Sequence, residues 1–189
     1  MDSVSPLDPI RFPFDERKAA AAAAYVLSLE GGQMDYLRLI KLLYLAERES
    51  LARFGRPIVG DTYYSLDHGP ILTRVLDLIK HPTGPGPWAD QIQVAGRYAA
   101  RLKKEPDLGP LSEAEIELLK EAVTVYQMFD RWHLRDLSHG LPEWKDPGGT
   151  RIEITVEEIL QVLGKTPEQI EEIRKNAREL TYFDSIFGR

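Results

Sequence analysis

Residues 36–46 read YLRLIKLLYLA, and this stretch decides the fold of the chain. Nine of its eleven residues are apolar or aromatic, and only Arg38 and Lys41 are charged. The pattern lacks the alternation of a half-buried strand, and its leucine-rich character continues to Phe54. The sequence therefore predicts a helix of about five turns. We expect it to be the central helix of the domain, buried on nearly every side, because apolar residues cover almost all of its surface.

A band of charge follows one side of this predicted helix. When the helix is wound at about 100° per residue, four charged residues fall within the band: Arg38, Lys41, Arg48 and Glu49. The band is either the only solvent-exposed face of the helix or the place where carboxylates from other segments form ion pairs with it. The solvated band is the favoured interpretation, because charged side chains are rarely buried.

Length and composition bound the class of protein. A chain of 189 residues has room for one domain with a substantial core. The sequence has no apolar run of the roughly eighteen residues that a membrane-spanning helix needs. Residues 1–18 contain no apolar signal core, so we expect a cytoplasmic protein rather than a secreted one.

Cysteine usage and net charge narrow the chemistry. The chain has no cysteine, which excludes disulfides, thiol nucleophiles and thiolate metal sites and fits a reducing cytoplasm. Its formal net charge of -6 weighs against a protein that mainly binds nucleic acid phosphates. The sequence contains no phosphate-binding glycine loop, dinucleotide fingerprint or Gly-x-Ser-x-Gly elbow. We expect no cofactor and no enzymatic activity.

The N-terminal part of the chain predicts an irregular arm followed by a helix. Residues 1–14 contain three prolines, and Phe12 and Phe14 are candidates to pin this arm to the core. The first helix is expected from Asp15, its N-cap, to Leu29. Six consecutive alanines give it a thin profile that lets neighbours approach closely. Its predicted apolar stripe consists of Ala22, Tyr25, Val26 and Leu29.

Turn residues divide the segment after the central helix. Residues 58–66 are rich in β-branched and aromatic side chains and predict an extended segment or short strand. Gly69 and Pro70 suit the N-cap and first position of a third helix, which would cover residues 71–80.

A loop and a hairpin are expected next. Residues 81–90 hold three prolines and two glycines and predict a flexible surface loop. Residues 91–103 predict a hairpin that turns near Gly96, with a helix over residues 97–104 as the alternative.

The C-terminal part of the chain predicts mostly helix. Ser112 followed by Glu115 is a capping box, which opens a helix to about Phe129. Beyond it we expect a short helix, a turn with a buried tryptophan, a strand, a short helix and an outer charged helix, over residues 130–138, 137–145, 150–155, 156–163 and 167–181. The predicted fold is mainly α: a single-domain helical bundle over residues 15–189 around the central helix, with a small antiparallel β element.

One set of residues has a spacing that could hold a metal. His133, Asp136 and His139 are three residues apart and share one side of a helix. The favoured interpretation is structural: His139 would satisfy a buried backbone group in a turn, and His133 would face solvent. We therefore expect no metal. Asp67 and His68 are interpreted in the same way, as a hydrogen bond at a helix entry with a small chance of acid–base catalysis.

Three aromatic residues are candidates for contact with a protein partner, because aromatic side chains are enriched at interfaces. They are Tyr63, Tyr64 and Trp88. The alternative is that one of the tyrosines belongs to the core and that the tryptophan anchors its loop.

The order of several motifs resembles the Panacea domain, the SocA-like antitoxin family. The resemblance covers roughly residues 16–146 and rests on order and spacing together. Its matching positions are Leu39, Lys41, Leu42, Leu43, Tyr44, Gly55, Pro57, Ile58, Gly69, Pro70, Ile71, Leu137, Ser138, His139 and Trp144. The chain departs from the pattern at Ser138, where threonine is common, and in its acidic C-terminal helix.

The resemblance implies a function as well as a fold. It implies a mainly helical domain with small β additions that binds and neutralises a toxin, usually encoded beside it in a bacterial or phage genome. In one branch of the family the antitoxin acts as an adaptor that hands the toxin to a AAA+ protease of the ClpXP type. It supplies no catalytic residues, and the matching positions are expected to be structural. A small metal-dependent hydrolase and a DNA-binding autoregulator stay as competing hypotheses, and the net charge disfavours the second.

Overall fold

A computed structural model of the chain describes residues 8–82 and 84–187. Within these residues it contains eight helices and six strands. The helices are α1 (Glu16–Leu29), α2 (Tyr36–Phe54), α3 (Thr73–Lys80), α4 (Pro87–Gln91), α5 (Glu113–Val125), α6 (Arg131–His139), α7 (Val156–Val162) and α8 (Pro167–Phe187). The strands are β1 (Gln33–Asp35), β2 (Tyr63–Leu66), β3 (Gly69–Leu72), β4 (Ile92–Ala95), β5 (Ala99–Leu102) and β6 (Ile152–Ile154).

The strands form two small antiparallel sheets, so the fold is mixed α/β and not a pure helical bundle. One sheet has the order β1-β5-β4 and the other has the order β3-β2-β6. The prediction of a mainly helical bundle with one β element is therefore only partly right. Of the predicted N-terminal arm, residues 1–7 lie outside the described residues, and residues 8–14 carry no regular secondary structure.

Helix α2 is the central helix, as predicted. Asp35 caps its N-terminus by accepting a hydrogen bond from the backbone N–H of Leu37 at 2.9 Å. Gly55 ends it in the left-handed conformation at a φ of 65°. Eleven of its residues are buried, and it packs against α1, α5, α6 and β3. The predicted burial on nearly every side is confirmed.

Helix α1 packs its alanines into the core. All six residues of the run at 19–24 are buried, and α1 contacts α2, α4 and α5. The N-cap at Asp15 is confirmed, since its carboxylate accepts a hydrogen bond from the backbone of Lys18 at 3.1 Å. The predicted apolar stripe is wrong at Leu29, which is exposed. The alanine run is buried on more than one side, so the buried face of α1 is broader than a single stripe.

The segment at Gly69 and Pro70 is a strand rather than a helix start. Strand β3 pairs with β2 through a tight turn at Asp67 and His68, and Gly69 follows that turn at a φ of 90°. Asp67 does not cap a helix; its carboxylate accepts a hydrogen bond from the backbone of Gly149. Pro70 has no N–H to donate, which an edge strand such as β3 tolerates. Pairing with β2 overrides the local helix signal, and α3 starts at residue 73 instead of 71.

The predicted loop over residues 81–90 contains a short helix. Thr83 lies outside the described residues, and α4 begins at residue 87 and packs against α1. The hairpin at Gly96 is confirmed: β4 and β5 pair with Val94 opposite Ala100. The alternative of a helix over residues 97–104 is therefore wrong.

The C-terminal elements follow the prediction with shifted ends. The capping box at Ser112 and Glu115 is present, but α5 ends at residue 125 rather than near 129. Helix α8 runs to residue 187, six residues beyond its predicted end, and packs on the body through residues that include Ile170, Ile173 and Ala177. None of the helices in residues 8–82 and 84–187 has the length and apolar character to cross a bilayer.

A core substitution in α2 tests how much of the fold depends on this helix. Leu43 is buried in the main cluster, so Leu43→Ala should lower the free energy of unfolding by about 2–5 kcal/mol. Urea denaturation of both proteins measures the change. A loss below about 0.5 kcal/mol would contradict the central position of α2.

Candidate functional site

Three of the four residues of the charged band of α2, Arg38, Lys41 and Arg48, lie largely inside the protein, and the expectation of a solvated band is wrong for them. The side chain of Glu49 is 45% exposed and pairs with Arg53 of the same helix. Carboxylates from other segments dock on the buried part of the band instead. Glu30 lies 2.8 Å from the guanidinium of Arg38, and Glu143 lies 2.7 Å from that of Arg48. Lys41 is completely removed from solvent, with 0% of its surface exposed. The band therefore joins α2 to other parts of the chain.

Lys41 is the least ordinary member of the band. Its ammonium donates a hydrogen bond to the carbonyl oxygen of Pro70 at 2.6 Å. The ammonium of Lys41 is therefore paired with a main-chain acceptor and does not reach solvent. Burial lowers the pKa of Lys41 to about 7, because no carboxylate in the described part of the chain replaces the water that the ammonium has lost.

Several family-motif residues meet around this ammonium. A Cβ atom placed on Gly69 would lie 2.7 Å from Lys41 Nζ, 2.4 Å from Ser138 Oγ and 3.4 Å from His139 Cδ2. Three elements far apart in sequence, α2, β3 and the end of α6, therefore approach one another at a position where only glycine fits. We call Lys41, Gly69, Pro70, Ser138 and His139 the lysine junction.

The aromatic side of the junction is closed by Trp144. The ring of His139 stacks on it with centroids 4.1 Å apart and an angle of 18°. The indole N–H of Trp144 donates to the carbonyl of Leu66 at 3.2 Å, which ties the stack to β2. Burial, and then the charge of Lys41, lower the pKa of His139, while its hydrogen bond with the Asp67 backbone acts in the opposite direction. The expectation that His139 satisfies a buried backbone group stays a prediction, because Asp67 is exposed and the Nε2 atom of His139 is buried without a hydrogen-bond partner among the described residues.

The structure does not bring the suggested metal ligands together. The ring of His133 is exposed and lies 3.0 Å from the carboxylate of Asp130. The carboxylate of Asp136 pairs with Arg135 at 2.6 Å, and His139 faces the tryptophan stack. Residues 8–82 and 84–187 contain no group of three or more His, Asp or Glu side chains that could hold a metal ion.

Two of the three aromatic partner candidates are not on the surface. Tyr63 is 1% exposed and Trp88 is 3% exposed. The side chains of β2 alternate between its faces, so Tyr63 points inward and donates its hydroxyl to Glu47 at 2.7 Å. Trp88 lies on α4, which packs against the thin helix α1. The premise of exposure is therefore wrong for these two; Tyr64 is half-buried, with the guanidinium of Arg151 5.1 Å from its ring centroid.

Buried acids are a feature that the sequence reasoning missed. Glu47 on α2 accepts hydrogen bonds from Tyr63 and from the Val59 backbone, each at 2.7 Å. Burial raises its pKa to about 7. Glu143 is also buried and accepts from Tyr44 at 3.1 Å in addition to its arginine partner. The signal for Glu47 was present, since an acid within a helix that is apolar on all sides needs a buried donor.

The surface carries two groups of exposed apolar side chains that the sequence reasoning also missed. The first, which we call the α5–α6 corner, contains Val125, Met128 and Trp132. The guanidinium groups of Arg131 and Arg135 lie 4.7 and 4.9 Å from the ring centroid of Trp132. The run RWHLR was the available signal, since a tryptophan between two arginines is a common composition for an interface.

The second group lies at the end of α8. Five large apolar side chains there are between 43% and 74% exposed: Leu180, Tyr182, Phe183, Ile186 and Phe187. We call this set the α8 patch. Contiguous exposed apolar surface of this kind is characteristic of a contact site for another molecule. The signal in the sequence was an aromatic cluster at the end of an otherwise charged helix.

Comparison with known proteins identifies one family. A family model described as antitoxin SocA-like, Panacea domain, matches residues 39–145, which is more than half of the chain. The whole lysine junction and the α5–α6 corner fall within the matched residues. Strand β6 and helices α7 and α8 fall outside them. No curated protein and no solved structure matches the chain.

Two glycine substitutions test the close approach at the junction. Gly69 and Gly96 both have positive φ, but a Cβ at Gly96 would meet nothing within 4 Å. Gly96→Ala should therefore cost only the backbone strain, about 1–2 kcal/mol. Gly69→Ala should cost about 1–3 kcal/mol more, because its methyl group collides with the lysine and serine side chains. Equal losses in thermal or urea unfolding would contradict the junction as described.

The lowered pKa of Lys41 predicts a pH dependence of stability. Between about pH 7 and pH 10 the unfolded chain binds a proton at this lysine that the folded chain has released. The free energy of unfolding should therefore rise with pH in this window, by at most about 1.4 kcal/mol per pH unit. Lys41→Met should abolish this slope.

Urea denaturation at several pH values between about 7 and 10 measures the slope. Lys120→Met is the matched control, because Lys120 is an exposed lysine on α5. If the Lys41 and Lys120 variants keep the slope of the unmodified protein, the ammonium is not desolvated as described.

Proposed function

The chain belongs to the SocA-like antitoxin family with a Panacea domain, and we propose that it neutralises a protein toxin by binding it directly. The family match over residues 39–145 is the observation that carries this proposal. In this proposal the chain acts by occupying a surface of the toxin and catalyses no reaction. The partner is the product of an adjacent gene, and the complex forms in the cytoplasm.

The arrangement of interior and surface supports a binding function. The lysine junction holds the hairpin of β2 and β3 against the end of α6, and α6 also carries Trp132 of the exposed corner. A surface that is fixed in this way loses little conformational entropy when a partner binds. Among the earlier aromatic candidates, Tyr64 stays in the proposal as a possible contact, because part of its side chain is accessible.

Proteolytic delivery is a second candidate, and the separation of the two apolar groups favours it. Arg131 beside the corner pairs with Asp35 at the start of α2, whereas Ile173 of α8 packs on Gly55 at its end. The 19 residues of α2 span about 28 Å, so the α6 side of the corner and the buried face of α8 contact opposite ends of this helix. Two such surfaces can bind two proteins at once, as an adaptor between a toxin and a AAA+ protease must.

Co-expression tests the proposed function. Expression of the adjacent open reading frame alone should arrest growth, and co-expression of this chain should restore it. The two proteins should also co-purify as a complex, because neutralisation in this proposal is stoichiometric binding. Failure to form any complex with a toxin that is demonstrably expressed would contradict the proposal.

The same assay separates sequestration from proteolytic delivery. In a host that lacks the AAA+ protease, sequestration predicts intact rescue of growth. Delivery predicts loss of rescue, accumulation of the toxin and persistence of the binary complex.

A further inference from the structure

Helix α8 has one face that holds it on the body of the protein. Ile170, Ile173 and Ala177 are buried on this face. Arg174, on the same side, pairs with Glu157 of α7 at 2.8 Å and with the carbonyl of Asp8. The first three turns of α8 are therefore fixed on the body of the protein.

Part of the α8 patch lies on the opposite side of the same helix. At about 100° per residue, Tyr182, Phe183 and Ile186 centre roughly 150° away from the buried face defined by Ile173 and Ala177, whereas Leu180 and Phe187 lie within about 60° of that face. Phe183 and Ile186 are both more than half exposed, and Phe187 is the most exposed of the five. Tyr182, Phe183 and Ile186 thus form an exposed apolar ridge on the side of α8 that faces away from its buried residues.

The side that carries this ridge is acidic over the preceding turns. Glu168, Glu172 and Glu179 are exposed there, with one basic residue, Lys175, among them. Read from its N-terminus, the outward face of α8 changes from carboxylates to large apolar groups. A complementary surface needs an apolar groove that continues into a rim of lysine and arginine.

We infer that the α8 patch is the segment that docks into the toxin, in an apolar groove whose rim is basic. This inference rests on the proposed function and adds the surface and the chemistry of its partner. On the ridge, Ile186 follows Phe183 by three residues and Tyr182 by four, which is the spacing with which an amphipathic helix fills a groove. The glutamates guide the approach of a basic protein to a chain whose net charge is -6.

A second copy of this chain fits the patch less well. A parallel pair of α8 helices would align the glutamates of one copy with those of the other. A full antiparallel pair would place the apolar turns of each copy against the acidic turns of its neighbour. Overlap restricted to the last two turns avoids both conflicts. Such a short overlap would bury only about 1,000 Å² of surface, summed over both copies. The estimate counts three aromatic side chains of roughly 200 Å² each and two aliphatic side chains per copy, all of them about half exposed. Stable interfaces bury about 1,200–2,000 Å².

Two other possibilities are also disfavoured by charge and packing. Helices that lie on membranes carry lysine and arginine beside their apolar face, whereas this ridge continues into glutamates. At the α5–α6 corner, the tryptophan ring is already covered by two arginine side chains of its own helix. Those arginines are in turn paired with Asp35 and Asp136. The exposed residues of the corner therefore lie beside paired arginines, whereas the ridge of α8 continues into exposed glutamates.

A pair of substitutions tests the docking ridge. The double variant Phe183→Asp, Ile186→Asp places two charges on the ridge. Val94→Asp, at an exposed apolar residue of β4, is the control, and Met128→Asp tests the corner. The probe is the purified product of the adjacent gene, with affinity measured by titration calorimetry at one fixed salt concentration. The double variant should bind at least about 100-fold more weakly, and the control within about threefold of the unmodified chain. Equal melting temperatures verify that the variants are folded, and Phe183→Ala provides a milder change at the same ridge.

The outcomes distinguish the inference from the proposed function. If the unmodified chain and the double variant bind the toxin equally, the inference is wrong while the antitoxin function stands. Loss of binding in Met128→Asp alone would move the site to the corner and overturn the inference. If the unmodified chain forms no complex with the toxin, both the inference and the proposed function are wrong. The remaining outcomes concern a second copy of the chain and a membrane. Sedimentation velocity measures dimers, and binding to phosphatidylglycerol vesicles measures membrane attachment. If the double variant loses either of these but binds the toxin with unchanged affinity, the patch belongs to that other occupant and the inference is wrong.

Charge reversal tests the basic rim separately. Glu172→Lys together with Glu179→Lys should slow association about tenfold and weaken its salt dependence, with little change in the dissociation rate. Glu117→Lys, on the exposed side of α5, is the control and should leave the association rate unchanged. An association rate that is the same in all three proteins would show that the rim of the groove is not basic.

Discussion

The hydrogen bond from Lys41 to the carbonyl of Pro70 is the constraint on which the surrounding structure depends. Removing an ammonium from water is expensive, so the chain must bring an acceptor to it and hold that acceptor there. The acceptor is a strand carbonyl, which fixes β3 against α2. The approach also requires a residue without a Cβ at position 69. One buried charge thereby determines a strand, a turn residue and the packing of α6.

The other buried polar groups of α2 work in the same way at successive turns. Arg38 donates to the carbonyl of Phe129 at 2.9 Å, Glu47 accepts from the backbone of Val59, and Arg48 pairs with Glu143. Apolar contacts are non-directional and would allow neighbouring segments to slide along the helix. A buried charge tolerates only positions that satisfy it, because a mismatch leaves the group desolvated and without a partner. The leucines of α2 supply the driving force for burial, and its polar groups select which segments pack where.

The buried polar groups and the exposed apolar groups lie in different parts of the chain. The family-matched residues 39–145 contain the lysine junction, which is structural, and the corner at Trp132. The following elements are tied to this domain by the pairing of β6 with β2 and by the ion pair of Lys145 with Glu158 of α7. They carry the most concentrated exposed apolar surface among the described residues. A rigid domain that supports an exposed apolar helix is physically consistent with the binding function proposed for this chain.

Features set by local interactions could be predicted from the sequence alone. The extent of α2, the caps at Asp15, Asp35 and Ser112, and the hairpin at Gly96 depend on residues within a few positions of one another. Tertiary structure decided the rest. Residues 69–72 became a strand because pairing with β2, and the carbonyl that it offers to a buried lysine, outweigh a local helix signal. Whether a side chain such as Trp88 or Lys41 lies inside depends on which segment packs over it, and that segment is distant in sequence.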